Sequence, residues 1–394
     1  MKILYTSPSI DPTKEKRHFL QLALKLKELG NNLLLLVPRY GKNKIENFDL
    51  KTVFIPVSRE HTFLSYLGVE FLRFFYLPFL ILKFQPDVIY NRKERFDFAP
   101  PFWSCLFRIP YVVEVNGILE QELKSADYPQ WLIKTFKLIE IFNYKIASQV
   151  ICIADGIKNW LVKHFRINEN KLTVVSNGAD TDFLRPKTKS SCRQELNLSE
   201  NYFYLGFVGS FVQWQDLETL ITAAQQVKLT EYPIRYILVG QGTDEVKLRQ
   251  LTKQLGLEDN IFFAGWVDYE MVPLYIGAFD ACYLSRMGYL SREEPNYSFS
   301  PLKLYEYLAC ARPIIAGRVP GITEVIREGN CGFLFSPGNS KELAKIIIAC
   351  FQQQNTLASL GASGRKLVEK KYSWRIIAQR TIEILSMVCK LKKQ

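Results

Sequence analysis

Residues 298–317, SFSPLKLYEYLACARPIIAG, read as loop, helix and strand. Ser300 predicts an N-cap, because its hydroxyl can accept from an unpaired first-turn amide. Pro301 suits the first helical position, where its missing N–H costs nothing. Leu304, Tyr305 and Leu308 supply an apolar face, and Ile314 and Ile315 start a short buried strand. Lys303 and Glu306 are three residues apart and so share one side of the helix. The helix opening at Pro301 and Leu302 carries the positive end of the helix dipole, which favours an anion such as a phosphate. Glu306, one turn further in, could accept from two neighbouring hydroxyls of a ribose. The stretch therefore predicts a site for a nucleotide diphosphate sugar. A helix salt bridge between Lys303 and Glu306, or a solvated Lys303, is the plainer alternative.

Outward from this stretch the chain alternates strand and helix. KILYT at 2–6, an amphipathic helix at 17–29 and LLLLV at 33–37 open the pattern, and PDVIYNR (86–92), PYVVEVNG (110–117), QVICIA (149–154) and LTVVSNGAD (172–180) continue it. A helix over 131–147 lies between the strands at 110–117 and 149–154. Near-continuous apolar strands separated by helices predict parallel sheets covered on both faces. Ligands of such sheets sit beyond the carboxyl ends of the strands, which puts Asn91, Arg92, Glu114, Asn116 and Gly117 at an edge suited to chemistry. Residues 185–201, RPKTKSSCRQELNLSEN, are polar without a buried strand pattern and predict the domain boundary. The rhythm then restarts with YLGFVGS, a helix over 216–229, IRYILVGQG (234–242), a helix over 244–255, IFFAGWV (261–267) and FDACYLS (279–285). From about residue 373 the tail reads as one long amphipathic helix.

The 394 residues suggest two domains. A net charge of +12 favours an anionic partner. No recognition-helix, zinc-finger or aromatic RNA-binding signature occurs, so nucleic acid is not expected. Eight cysteines stand singly, with no metal-ligand spacing, and there are only three histidines. The opening MKILYTSPSI reads as a first strand rather than an export signal. Together these predict reduced thiols in a cytoplasmic protein with no metal site. The most apolar run, FLSYLGVEFLRFFYLPFLILKF at 63–84, is interrupted by Glu70, Arg73, Pro78 and Lys83 and does not read as a membrane span. It fits either a pair of core helices or a basic-aromatic surface seated in a membrane interface, carried by Arg73 and Lys83 with Trp131, Lys134 and Lys137.

LKLYEYLACARPIIAGRVPGITEVIREGNCGFLFSPGNSKELAKII resembles the carboxyl-terminal half of family-4 glycosyltransferases. So do VVSNGADTDFLRP, FVGSFVQWQDLETLITAA, YILVGQGTDEVKLRQL and IFFAGWVDYEMVPLYIGAFDACYLS, in the family's order. The resemblance implies the α/β GT-B fold, with two Rossmann-like domains facing across a cleft. Residues 1–184 would be the acceptor-binding domain, with the C-terminal helix (about 373–394) packing back on it. Residues 185–372 would bind the donor. It further implies retaining transfer from a nucleotide diphosphate sugar to a hydroxyl of a glycan, lipid-linked or similar acceptor in cell-envelope or exopolysaccharide synthesis. No cofactor or metal is implied, because basic side chains and helix amides stabilise the leaving diphosphate.

Residue by residue, Glu306 matches the second glutamate of the family's E-x7-E motif, which binds the ribose. Gly209 and Ser210 match the glycine-led turn near the diphosphate. Trp266 and Val267 match the loop on the base, and Gly242 ends a strand on the same edge. Thr323 and Glu324 follow the loop after the central strand. Four positions depart from the pattern: Ser298 replaces the first glutamate, Gln215 the usual lysine, Asn116 the acceptor-side histidine, and Thr13-Lys14 the first Gly-Gly. Lys303, in the SPLK form of the motif, would then serve the diphosphate, with Asn116 orienting acceptor or sugar. Arg286 and Arg292 lie upstream and read as ordinary loop arginines. The alternative is a nucleotide-sugar-binding scaffold without turnover. An epimerase would need acid–base carboxylates or histidines, and no clear set is present. Association with an anionic membrane surface, on its cytoplasmic face, is a further expectation.

Overall fold

The computed structural model describes residues 1–8, 18–40, 49–57, 63–94, 97–125, 128–287 and 299–393. The chain divides into two compact units, Met1–Ser176 with Trp374–Gln394, and Asn177–Ser373. The division falls at 176/177, ahead of the expected boundary in 185–201. That polar stretch contains a helix, Lys189–Glu195, which belongs to the second unit. Its Arg193 is buried, donating to Asp280 Oδ2 (2.6 Å) and to the carbonyl of Ala278 (3.0 Å). A buried, paired arginine makes the segment part of a core, which composition alone does not reveal.

The first unit holds a seven-stranded parallel sheet. Its strands are β1 (Lys2–Thr6), β2 (Asn32–Tyr40), β3 (Lys51–Val57), β4 (Val88–Arg92), β5 (Tyr111–Val115), β6 (Gln149–Cys152) and β7 (Leu172–Val174). Their order is β3-β2-β1-β4-β5-β6-β7. β3 escaped the sequence reading because KTVFIPV is only partly buried and is interrupted by a proline. The switch in strand direction of travel falls between β1 and β4, where an open parallel sheet presents a crevice. Helix Trp374–Lys393 packs on helix Phe19–Glu28 within this unit, with the His18 ring stacked on Trp374 at 5.1 Å.

The second unit repeats the plan with six strands, β8 (Phe203–Val208), β9 (Ile234–Val239), β10 (Ile261–Gly265), β11 (Ala281–Leu284), β12 (Ile314–Gly317) and β13 (Gly332–Phe335). Their order is β10-β9-β8-β11-β12-β13, and every pairing is parallel. Here the switch lies between β8 and β11. All eight cysteines are free, and six are buried.

Residues 63–84 form one helix, Phe63–Phe84, with Pro78 inside it, rather than the expected pair. Its buried side carries Glu70 and Arg73, fully enclosed. Arg73 Nη1 donates to Glu70 Oε2 (2.6 Å) and Asp97 Oδ1 (2.9 Å), and Nη2 to Asn91 Oδ1 (2.9 Å). Of the three charges that break the hydrophobic pattern of this run, Glu70 and Arg73 therefore point inward and are paired, as buried charges must be, whereas Lys83 is exposed.

Candidate functional site

In the second unit the site is built around helix Leu302–Ala309, which follows β11 and precedes β12. The helix begins one residue later than expected. Pro301 is the N-cap, with φ −70° and ψ 132°, and no side chain caps the end. Ser300, displaced from the cap, is buried instead. Its hydroxyl accepts from the Asn177 amide (3.0 Å) and pairs with the Tyr305 hydroxyl (2.8 Å), while Asn177 Nδ2 donates to the Ser300 carbonyl (2.6 Å). Asn177 was not among the predicted site residues. Its Oδ1 is buried with no hydrogen-bond partner, an orphan acceptor beside the helix start.

Tyr307 fixes the helix to the end of β8. Its hydroxyl accepts from the Val208 amide (2.8 Å) and donates to the Val208 carbonyl (3.1 Å). One turn earlier, Lys303 reaches the same strand end. Its Nζ donates to Gln215 Oε1 (2.9 Å) and lies 4.3 Å from the centroid of Phe207. Gly209 is the residue that admits it, because a Cβ there would sit 2.5 Å from Lys303 Nζ, at a φ of +152°. Thus the departures at Gln215 and Lys303 are one arrangement, in which an ammonium arrives from the helix at the turn where a lysine on the loop was expected. Leu302 is half-buried beside it. Glu306, one turn deeper, is only 5% exposed.

The neighbouring strand ends are joined through backbone. Gly209 N donates to the Val239 carbonyl (2.9 Å) and Gly240 N to the Gly265 carbonyl (2.7 Å). A Cβ on Gly240 would meet the Gly209 carbonyl oxygen at 2.0 Å. Ser210, Gly242 and Trp266 are exposed along this rim, while Val267 packs partly into the core. Sequence reasoning missed Asp216, which anchors the loop from below. Its Oδ1 accepts from Thr219 (2.5 Å), and Oδ2 from Ser285 (2.8 Å) and the Gly338 amide (3.2 Å). Burial pushes its carboxyl above the ordinary range, and those hydrogen bonds oppose the shift.

Thr323 and Glu324 serve their own helix, Ile322–Gly329. Thr323 donates back to the Val319 carbonyl (3.0 Å), and Glu324 Oε2 accepts from the Gly321 amide (2.5 Å) as an N-terminal cap. Arg286 stacks on Phe299 at 3.9 Å. Ser298, Arg292 and Thr13-Lys14 lie outside the described residues.

In the first unit the predicted edge residues separate into two groups. Asn91 is fully buried and committed. Beyond its bond from Arg73, its Nδ2 donates to Asp97 Oδ2 (2.8 Å) and the Tyr111 hydroxyl (3.0 Å). It supports the fold and offers no face to an acceptor, a correction to its expected place. Glu114 centres the other group. Tyr90 donates to its Oε2 in a short bond, Asn116 Nδ2 donates to Oε1 (3.0 Å), His18 Nε2 lies 3.5 Å away and Arg92 Nε 3.9 Å away. Burial, with Arg92 adding repulsion, holds the His18 pKa well below its usual value. Four buried polar atoms at this edge make no hydrogen bond: Tyr5 Oη, Ser7 Oγ, Arg92 Nε, which has only its longer ion pair to Glu114, and Asn116 Oδ1. Asn116 and Gly117 line a surface depression with Lys93, Glu94, Val115 and Leu119.

Strand order, glycine turns and a helix opening at the switch point define a GT-B-type enzyme scaffold with two Rossmann-like units. Residues 16–183 match the model of Glycosyltransferase Family 4, and residues 188–367 that of Glycosyl transferases group 1. The chain belongs to the family-4 glycosyltransferases. An uncharacterized glycosyltransferase of Methanocaldococcus jannaschii is 22% identical over 350 residues, 86% of this chain and 85% of the relative. Sucrose-phosphate synthase from Thermosynechococcus elongatus superposes with a TM-score of 0.78 at 17% identity, over 98% of this chain and 99% of the other. The Anabaena protein HepE, in complex with UDP-glucose, does so with a TM-score of 0.75 at 22% identity, over 98% and 100%.

Proposed function

We propose that the chain is a retaining, metal-independent glycosyltransferase. It would move a sugar from a nucleoside diphosphate sugar to a hydroxyl of a glycan or lipid-linked acceptor in envelope or exopolysaccharide synthesis. The observation that carries this reading is the seating of Lys303 Nζ against Gly209 and Gln215, at the opening of a helix aimed at the sheet's switch point. A cation there, together with helix amides, stabilises charge gathering on a leaving diphosphate. Glu306 would accept from the ribose hydroxyls, and Trp266 and Val267 would face the base. The UDP-glucose complex of the Anabaena neighbour supports a uridine diphosphate donor.

In the reaction, the bond from the anomeric carbon to the phosphate oxygen breaks, its electron pair leaving with the diphosphate. The acceptor oxygen bonds to that carbon from the same face, and its proton passes to the departing phosphate. The enzyme supplies position and charge. Asn116, with Glu114, Arg92 and Gly117 beside it, would orient the acceptor or sugar, since the orphan atoms at that edge are suited to hydroxyl groups.

The test is donor binding and turnover with a panel of nucleoside diphosphate sugars, in wild type and Glu306→Ala. The reading expects turnover with at least one donor and a loss of nucleotide affinity of about tenfold or more in the variant. Donor binding with no transfer or hydrolysis would favour the scaffold, and an unchanged affinity would remove the ribose assignment.

A further inference from the structure

Three helices of the first unit, each packed on the next, expose apolar side chains. On Phe63–Phe84 the residues Leu67, Phe71, Phe75, Phe79 and Leu82 are between 41% and 67% exposed. Their spacing of four, four, four and three places them in one stripe along the helix. Helix Ala99–Leu106 packs alongside and exposes Phe102 and Leu106. Ring contacts run without a break from Phe71 to Phe75 (5.0 Å), Phe74 (5.7 Å), Phe102 (5.2 Å) and Trp103 (5.1 Å). Helix Gln130–Ile146 packs on the second helix and exposes Trp131, Leu138 and Phe142. Apolar surface of this kind, joined ring to ring across the first two helices, marks a contact with something else.

The exposed charges within the three helices have one sign. The acids of the three helices, Glu70 and Glu140, are both buried, paired with Arg73 and Lys93. The exposed ions of the helices are Lys83, Lys134 and Lys145; just beyond their ends lie Arg108 and Asp87, whose Oδ2 accepts from the Lys2 amide (2.7 Å). Lys83 Nζ lies 5.9 Å from the ring of Phe79, so cation and aromatic are presented together.

The stripe is also held outward. Glu70 Oε1 accepts from the amides of Phe98 (2.9 Å) and Ala99 (2.6 Å), which ties the first helix to the start of the second. Rolling the helix to hide the phenylalanines would pull Glu70 and Arg73 out of that enclosed network.

We propose that this face docks on the surface of an anionic lipid bilayer. The helices lie in the interfacial plane, the phenyl and indole rings enter the headgroup–acyl boundary, and the basic side chains pair with headgroup phosphates. Among the described residues no helix is long and apolar enough to cross a membrane, so the contact is superficial. Other residues than the donor-site set carry this proposal, and its test needs no catalysis.

The experiment is flotation of the full chain with vesicles of phosphatidylcholine alone and of phosphatidylcholine mixed with phosphatidylglycerol. Wild type is expected to float with the mixed vesicles, less so as salt rises, with a blue shift in tryptophan fluorescence. The variant Phe71→Ser/Phe75→Ser/Phe79→Ser, altered only at exposed positions, is expected to bind at least about tenfold more weakly. Lys83→Gln and Arg108→Gln are each expected to weaken binding about fivefold, on anionic vesicles only. No flotation at low salt, or flotation of the triple variant equal to wild type, would overturn the proposal. So would concentration-dependent dimers that the triple variant abolishes in the absence of flotation, which would assign the face to a second copy of the chain.

Discussion

The two units share a wiring diagram and differ in what stands at the sheet edge. In the second unit the edge is backbone. Gly209 and Gly240 join strand ends, and one ammonium, Lys303, comes in over the glycine. In the first unit the edge is side chain. A buried carboxylate, Glu114, gathers Tyr90, Asn116, His18 and Arg92 around it. Backbone with a cation suits a diphosphate, whose oxygens only accept. A mixed set of donors and acceptors suits hydroxyl groups, which do both. The fold thus supplies the same crevice twice, and local sequence decides which chemistry each crevice recognises.

The largest expected effect strikes the support of the first unit. Arg73→Ala leaves Glu70 and Asp97 buried without their cation and should cost about 3–5 kcal/mol, read as an early unfolding transition in urea. Transitions of the second unit should be unmoved. Gly240→Ala is the counterpart there, forcing a Cβ onto the Gly209 carbonyl at a φ of +132°. It should cost roughly 2–3 kcal/mol, and any retained turnover should be thermolabile. Next come the chemical differences. Lys303→Ala should lower turnover by on the order of a hundredfold or more with acceptor KM unchanged. Asn116→Ala should do the reverse, raising acceptor KM about tenfold with nucleotide affinity intact. If both variants shifted the same parameter, the division of labour between the edges would fail.

The smallest effect concerns pH. The folded first unit refuses a proton on His18, whereas the unfolded chain takes one up near pH 6.5. This contribution to stability is present above about pH 6.5 and is lost as the pH falls below it. A thermal shift series from about pH 7.5 down to 5.5 should show the decline, and His18→Gln should flatten it.

Much of this was readable from periodicity. The strands around KILYT, IRYILVG and FDACYL are apolar runs, and their alternation with helices already implied two parallel sheets. What escaped depended on contacts distant in sequence. Ser300 looks like a cap until Asn177, 123 residues away, takes its hydroxyl. Asn91 looks like an edge residue until Arg73 and Asp97 enclose it. Gln215 looks like a lost lysine until Lys303, 88 residues on, supplies the charge. Asp216 carried only a weak signal, an acid inside the glycine-turn motif, whose burial depends on the fold. The polar stretch at 185–201 misled because composition does not show that Arg193 is paired with Asp280.

The most direct test is calorimetric titration of uridine diphosphate and uridine monophosphate into wild type and Lys303→Met. The Lys303 ammonium should matter only when the second phosphate is present. The variant should therefore lose about tenfold to a hundredfold in diphosphate affinity while monophosphate affinity stays within about twofold. Equal affinity of wild type and variant for the diphosphate would contradict the placement of the leaving group at Gly209 and Lys303.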